Sequence, residues 1–154
     1  MRLSTKSRYG VRAIFDIAYH SGGLPTQIKE ISRRQGITPR YLEQIFQKLK
    51  RAGIVKSIRG PKGGYYLARK AEKIVVSDII RAMEESIEPV FCARPPKGRK
   101  KCRRESHCVA QLVWREAGQR LSAYFDSISI ERMCSMAKEL GIEKQLDHRF
   151  MYFI

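Results

Sequence analysis

The stretch TQIKEISRRQGITPRYLEQIFQKLKRAGIVKSIRGPKGGYYL, residues 26–67, decides the fold. Its first part predicts a helix from about Gln27 to Arg34 that buries Ile28 and Ile31. Gly36 follows at the position where a left-handed backbone ends a helix. Thr38 is placed to cap a second helix, and Pro39 falls at its first residue, where a missing N–H is harmless. Within that second helix Leu42, Ile45, Phe46 and Leu49 keep the i, i+3, i+4, i+7 spacing of one buried stripe. Its other face carries Arg40, Tyr41, Glu43, Gln44, Gln47, Lys48 and Lys50. Gly53 stops it. Ile54–Ile58 and Tyr65–Ala68 read as two strands joined by Arg59-Gly-Pro-Lys-Gly-Gly64. Helix, turn, helix and basic hairpin form the pattern of a winged helix-turn-helix.

Working outward, charge shows what such a domain could meet. The chain has 154 residues, a net charge of +16 and a sequence pI near 10.1. Residues 1–70 hold 16 Lys and Arg against 3 Asp and Glu, whereas residues 71–154 hold 15 against 12. A basic excess confined to the helix-turn-helix half is the footprint of a phosphate-binding surface. An apolar-stripe helix can present its polar face to the DNA major groove, and a basic hairpin can reach flanking backbone or the minor groove. Double-stranded DNA is therefore the expected partner. No apolar run approaches the ~20 residues of a membrane span, and no secretory leader is visible. Cytoplasmic residence is the expectation.

Other classes fit less well. Gly60-Pro-Lys-Gly-Gly64 lacks the spacing and strand-loop-helix context of a nucleotide loop. No nucleophile–base pair or paired carboxylates suggest an enzyme. Nor is there an aromatic stacking motif on a sheet for RNA.

Upstream, Ser4 to about His20 predicts a helix with Val11, Ile14, Phe15 and Ala18 on its apolar face. Lys6, Arg8 and Arg12 lie elsewhere, facing either solvent or phosphates. Downstream, Val76 to about Glu85 predicts a short helix with Ser77 as its cap. Ser86 to Ser106 has no periodicity and contains Pro89, Pro95, Pro96 and Gly98; from Ala93 to Arg104 it carries seven basic residues and no acid. A long helix returns from about Cys108 to Ser127, with Leu112, Val113, Ala117, Leu121, Tyr124 and Phe125 in a band and Trp114 beside it. That band is wider than one small domain needs, so it is expected to pair two copies, matching a palindromic DNA site. Glu131 to Leu140 predicts a last helix, and Gln145–Ile154 is a tail mixing aromatics with charges. The division expected is a DNA-binding domain over 1–85, a cysteine-containing loop over 86–107, and a dimerisation helix with a C-terminal helix over 108–154. The fold class is mainly α with a small β-wing.

Cys92, Cys102 and Cys108 follow a C-x9-C-x5-C spacing, and Cys134 stands apart. Zinc sites favour short C-x2-4-C pairs, absent here. Iron–sulfur clusters tolerate longer, irregular loops. Cys108, at a helix N-terminus among arginines and lysines, has surroundings that favour a thiolate. Three free thiols fit the spacing equally.

The segments Met1-Arg-Leu-Ser-Thr-Lys-Ser-Arg-Tyr9, Tyr41-Leu-Glu-Gln-Ile-Phe46, Arg59-Gly-Pro-Lys-Gly-Gly-Tyr65 and Leu112-Val-Trp-Arg115, with the three loop cysteines, resemble the IscR-like family of bacterial winged-helix repressors over nearly the whole chain. The resemblance implies a homodimeric transcription factor controlled by an iron–sulfur cluster on Cys92, Cys102 and Cys108, with [2Fe–2S] ahead of [4Fe–4S]. It implies that Glu43 and Gln44 face bases and that Arg59 enters the minor groove. Thr38, Arg40, Tyr41, Lys48 and Lys62 complete the expected DNA-binding set; Tyr41, Lys48 and Lys62 are assigned to the backbone. Two departures stand out. The first inter-cysteine gap is longer than is usual in the family. The family's histidine ligand, three residues after the last cysteine, is here Gln111. His107 is the expected replacement, with Glu105, Cys134, Gln111 or a residue of a second subunit as alternatives. A branch of the family without a cofactor, controlled by thiol oxidation or a metabolic-enzyme partner, implies the rival mechanism.

Overall fold

The computed structural model describes residues 3–90, 92–93 and 102–146. The elements are α1 (Thr5–His20), α2 (Ile28–Gln35), α3 (Pro39–Arg51), β1 (Val55–Ile58), β2 (Gly64–Leu67), α4 (Val76–Ala82), α5 (Val109–Ser127) and α6 (Ile130–Glu139), with single 3-10 turns at Ala71–Lys73 and Glu105–His107. This is a mainly helical winged helix-turn-helix with one two-stranded antiparallel sheet.

The local signals act where the sequence places them. Gly36 ends α2 with φ 63°, and its N–H donates to the Ser32 carbonyl at 2.8 Å. Thr38 has extended capping geometry ahead of Pro39, although its hydroxyl makes no capping bond. Leu42, Ile45, Phe46 and Leu49 are all buried, in one core with Ala13, Ile14 and Ile17 of α1 and Ile31 of α2. Each such side chain contributes roughly 2 kcal/mol by leaving water, so this stripe dictates which face of α3 remains outside.

The wing pairs Val55 with Leu67 and Ser57 with Tyr65. It is also anchored in a way the strand pattern does not reveal. Thr26, just before α2, exchanges both backbone hydrogen bonds with Tyr65, each 2.8 Å. Gly64 permits this approach, because a Cβ there would stand 2.4 Å from the Thr26 carbonyl oxygen. The Phe46 and Tyr65 rings, 4.4 Å apart, pack α3 against the same strand.

Two expectations for α4 change. The helix ends at Ala82, and Ser77 is not its cap: Val75 is the capping residue, and Asp78 accepts the Val75 N–H at 3.3 Å. The buried Ser77 hydroxyl instead donates to Asp126 at the end of α5. Arg81 donates to the same carboxylate at 2.5 Å. The Ser77 bond, followed by Arg81, holds the Asp126 carboxyl below its usual range. A backbone bridge between Val75 and Ser129 joins the same regions, and Ser129 caps α6 by accepting the Arg132 N–H at 3.1 Å. The last helix then returns to the first: Ile130, Cys134 and Ala137 share the core of α1. Gln145 and Leu146 end the described part of the expected tail, whose remaining residues 147–154 lie outside it.

Two titratable groups of α1 are buried. Asp16, fully inaccessible, accepts from Arg34 Nη2 at 2.7 Å, from Arg34 Nε at 3.1 Å and from Gln35 Nε2 at 2.9 Å. The bidentate guanidinium offsets the desolvation of the carboxylate and locks α2 onto α1. His20 Nδ1 accepts the Gln145 N–H at 2.9 Å, which keeps the ring neutral. Burial pushes the His20 pKa below 6.5, with Asp16 opposing. Unfolding therefore exposes a ring that takes up a proton more readily. This share of stability is complete above the unfolded value and is lost as pH falls through the folded one. Urea midpoints are expected to drop between about pH 7.5 and about pH 5.5, and to drop less in His20→Asn, in which an amide oxygen can accept from Gln145 without titrating.

Candidate DNA-binding face and cysteine segment

The outer face of α3 gathers most of the residues singled out in the sequence. Arg40, Glu43 and Gln44 are exposed and make no side-chain hydrogen bond to another described residue. Tyr41 is half-buried, its ring edge-on to Tyr9 of α1 at 5.7 Å. Thr38 is exposed at the helix start. Arg59 and Lys62 are exposed on the hairpin between β1 and β2, which bends where the Gly63 N–H meets the Gly60 carbonyl at 2.9 Å. Gln27 Nε2 reaches the Pro61 carbonyl at 3.3 Å, so the start of α2 braces the wing tip.

Lys48, assigned from the sequence to the DNA backbone, is engaged within the chain. Its ammonium is ion-paired with Glu84, just beyond α4. That contact pulls the Glu84 carboxyl below its ordinary range. Arg12 also has an internal role: its guanidinium donates to the Gln35 side chain at 3.2 Å and to the Gln35 carbonyl. Neither pairing has a periodic signature, because each joins residues from separate elements.

The cysteine segment is held at both ends. Glu85 accepts from the Ser4 N–H at 3.0 Å, from the Ser4 hydroxyl, and from the Ser7 hydroxyl at 2.7 Å. At the other end Gln111 is buried, 4% exposed, and its Nε2 donates to the Cys92 carbonyl at 2.8 Å. Gly118 lets Glu88 and Pro89 lie against α5, since a Cβ there would stand 2.2 Å from Glu88 Oε2. The residue at the family's histidine position thus ties Cys92 to the long helix through a neutral amide.

Cys92 and Cys108 are half-buried and Cys102 is exposed. Cys108 takes the capping position of α5, as the sequence predicts. His107 is exposed, with Nδ1 2.7 Å from the Ser106 hydroxyl. Glu105 Oε2 is buried with no hydrogen-bond partner among the described residues. Cys134 lies in the α1–α6 core, and burial, then Glu131, pushes its thiol pKa up, away from thiolate chemistry. Among the described residues no three His, Cys, Asp or Glu side chains converge to hold a metal ion. The donor chemistry suits iron–sulfur ligation, with three thiols and an unpartnered carboxylate oxygen, although these donors are not gathered at one point.

The inner and outer edges of α5 contrast sharply. Leu121 and Phe125 pack against Val76, Ile80 and Ile87. Val109, Leu112, Val113, Trp114 and Tyr124 are exposed, Val109 to 74%. No described helix is long and apolar enough to cross a membrane.

Comparison with known proteins fits this architecture. Residues 3–136 match the family model described as Rrf2, iron-dependent transcriptional regulator. The chain is 38% identical over 148 residues to the HTH-type transcriptional regulator IscR of Photorhabdus laumondii, covering 96% of this chain and 88% of that protein. Among solved structures, IscR of T. potens superposes with a TM-score of 0.74 and 37% identity, covering 94% of each chain. CymR, the global cysteine regulator of B. subtilis, gives a TM-score of 0.71 and 33% identity over 88% of this chain and 98% of that one. The oxidised form of CymR from Staphylococcus aureus gives 0.66 and 30% over 87% and 96%.

The protein is a winged helix-turn-helix transcriptional regulator that binds DNA, and not an enzyme. It belongs to the Rrf2 family of regulators, in the company of IscR.

Gln111→Ala is expected to lower stability by roughly 1–2 kcal/mol, because the Cys92 carbonyl loses its buried donor. Thermal unfolding against the unmodified chain measures this.

Proposed function

We propose that the protein is a homodimeric regulator of palindromic promoter sites, its DNA affinity set by the state of Cys92, Cys102 and Cys108. The observation that carries this reading is the exposure of Arg40, Glu43 and Gln44 on the outer face of α3 beside a basic wing, with the inner face fixed by a buried stripe. In this reading Arg40–Lys48 enters the major groove. Glu43 accepts from a cytosine amino group and repels phosphate and other acceptor edges, so it adds selectivity without adding affinity. Gln44 pairs with adenine. Tyr41, Lys48 and Lys62 take the backbone and Arg59 the minor groove, with Thr38 and Arg40 completing the DNA-binding set. Glu43→Ala should therefore narrow the gap between preferred and random duplexes by tenfold or so, the value of one good base contact. Competition binding with a selected duplex library reads that gap; an equal loss on every sequence would remove Glu43 from the role.

Pairing runs through α5, whose exposed Val109, Leu112, Val113 and Trp114 supply an unpartnered apolar flank. The three functional parts are a reading domain over 1–85, a sensing loop over 86–107 and a dimerisation arm over 108–154. In this reading the protein acts on promoters in the cytoplasm.

The family description as iron-dependent and the likeness to IscR support an iron–sulfur cluster on Cys92, Cys102 and Cys108, [2Fe–2S] ahead of [4Fe–4S], with His107 as fourth ligand. The orphaned oxygen of Glu105 makes it the main rival to His107. When bound, such a cluster supplies a redox-sensitive cross-link among the thiols. The chain's own residues convey its consequence: Glu85 and Gln111 fasten the two flanks of the loop to α1 and α5, so a change in the loop bears on both the reading domain and the arm. The second reading is thiol oxidation or an enzyme partner without a cofactor. The dispersed thiols and the likeness to CymR favour it.

Anaerobic purification followed by a visible spectrum with iron and sulfide counts separates the two. Stoichiometric iron and sulfide, lost in Cys102→Ala, are expected for the cluster. A colourless, iron-free protein from cells able to build clusters would transfer control to the thiols themselves or to a protein partner.

A further inference from the structure

Lys48 lies one turn beyond Gln44 and two beyond Tyr41 on α3, at the edge where a docked helix meets phosphate. In the structure that edge is already occupied by an acid. The Glu84 carboxylate pairs with the Lys48 ammonium, and Arg51 and Lys6 add positive potential at the same carboxylate. Lys48 and Met83, the residue before Glu84, line one small cavity of about 40 Å³ together with Lys6, Tyr41, Gln44 and Ile45.

The backbone arrangement that delivers this acid is unusual. Glu84 is the only non-glycine described residue with positive φ, at 61°, a conformation disfavoured for any residue with a Cβ. The turn sends two consecutive carboxylates to different elements: Glu84 to α3, and Glu85 to Ser4 and Ser7 of α1. An exposed ion pair of this type adds little to stability, and the Glu84 side chain is 79% exposed. A strained backbone that serves such a pair is better explained by what the pair excludes from Lys48.

We propose that Glu84 is an internal stand-in for a DNA phosphate, neutralising Lys48 until the nucleic-acid backbone displaces it. This rests on α3 being the DNA-facing helix. Glu84 weakens sequence-independent binding while leaving base contacts by Glu43 and Gln44 untouched, so base readout supplies a larger share of the affinity that remains. It also stands eight residues ahead of Cys92, at the root of the cysteine segment. The reading helix and that segment therefore share one electrostatic contact.

Counterion bookkeeping makes the proposal measurable. A lysine that neutralises a phosphate releases a condensed cation and steepens the salt dependence of binding by about 0.9. If Lys48 must first leave Glu84, the bared carboxylate recruits a cation, and net release from that contact falls close to zero. The experiment is a fluorescence anisotropy titration of the full-length protein with a mixed-sequence duplex of about 30 base pairs, from about 50 to 200 mM KCl. Glu84→Gln should bind roughly five- to tenfold tighter at the lowest salt, with log K against log salt steeper by about 0.9 per reading helix. Adding Lys48→Ala to Glu84→Gln should remove both gains, and circular dichroism confirms that each variant is folded. Equal affinity and slope for wild type and Glu84→Gln would overturn the inference. So would a gain that survives the loss of Lys48, because that is a general charge effect. If Arg40→Ala and Gln44→Ala leave duplex binding unaltered, the assignment of α3 as the DNA-facing helix fails instead.

Discussion

Burial of the inner face of α3 governs everything on its outer face. Leu42, Ile45, Phe46 and Leu49 sit in a core supplied by α1 and α2, and Phe46 also meets Tyr65 of the wing. Rotating the helix by one residue would expose part of that stripe at a cost of several kcal/mol. Exposed ion pairs contribute at most about 1 kcal/mol each. Apolar packing therefore sets the orientation of Arg40, Glu43 and Gln44, and charges adjust what that orientation accomplishes. The Asp16–Arg34 pair is a separate case. It is buried, so its net stabilisation is modest, but either charge alone would be costly, and this restricts α2 to one seat on α1.

The C-terminal half is connected to this core at several points. Val75 bridges to Ser129, Ser77 and Arg81 hold Asp126, and α6 enters the same core as α1. One side of α5 is thereby committed to its own chain while Leu112, Val113 and Trp114 stay outside. Gln111 and Gly118 lie on the committed side and hold Cys92, and Glu88 with Pro89, respectively. The cysteine segment leaves α4 through Glu84 and Glu85 and is met again by Gln111. Its flanks are therefore attached to α3 and the start of α1 on one side and to α5 on the other.

Much of this was readable from local pattern. Gly36, Pro39, the α3 stripe and the Gly60–Gly64 turn each act through near neighbours, so their spacing carries the information. Ser77 shows where local rules mislead. A serine near a helix start resembles a cap, yet its hydroxyl is drawn to Asp126, 49 residues away. The Thr26–Tyr65 bridge has no local signature for a related reason: one residue pair leaves no alternation to detect. At the candidate site, the exposed positions of α3 and the wing followed from the stripe. The Lys48–Glu84 pair and the Gln111–Cys92 bond did not.

By itself, then, the sequence determined the helix pair, the wing, the basic bias of the first 70 residues and the cysteine spacing, because helix periodicity, capping and net charge are properties of short segments. Only the tertiary structure decided which charges are spent internally. Arg34 is consumed by Asp16, Arg12 by Gln35 and Lys48 by Glu84, while Arg40 and Arg59 remain exposed. A count of lysines and arginines cannot separate these groups. Each pairing requires two distant residues to arrive at one place, and packing alone determines where they arrive.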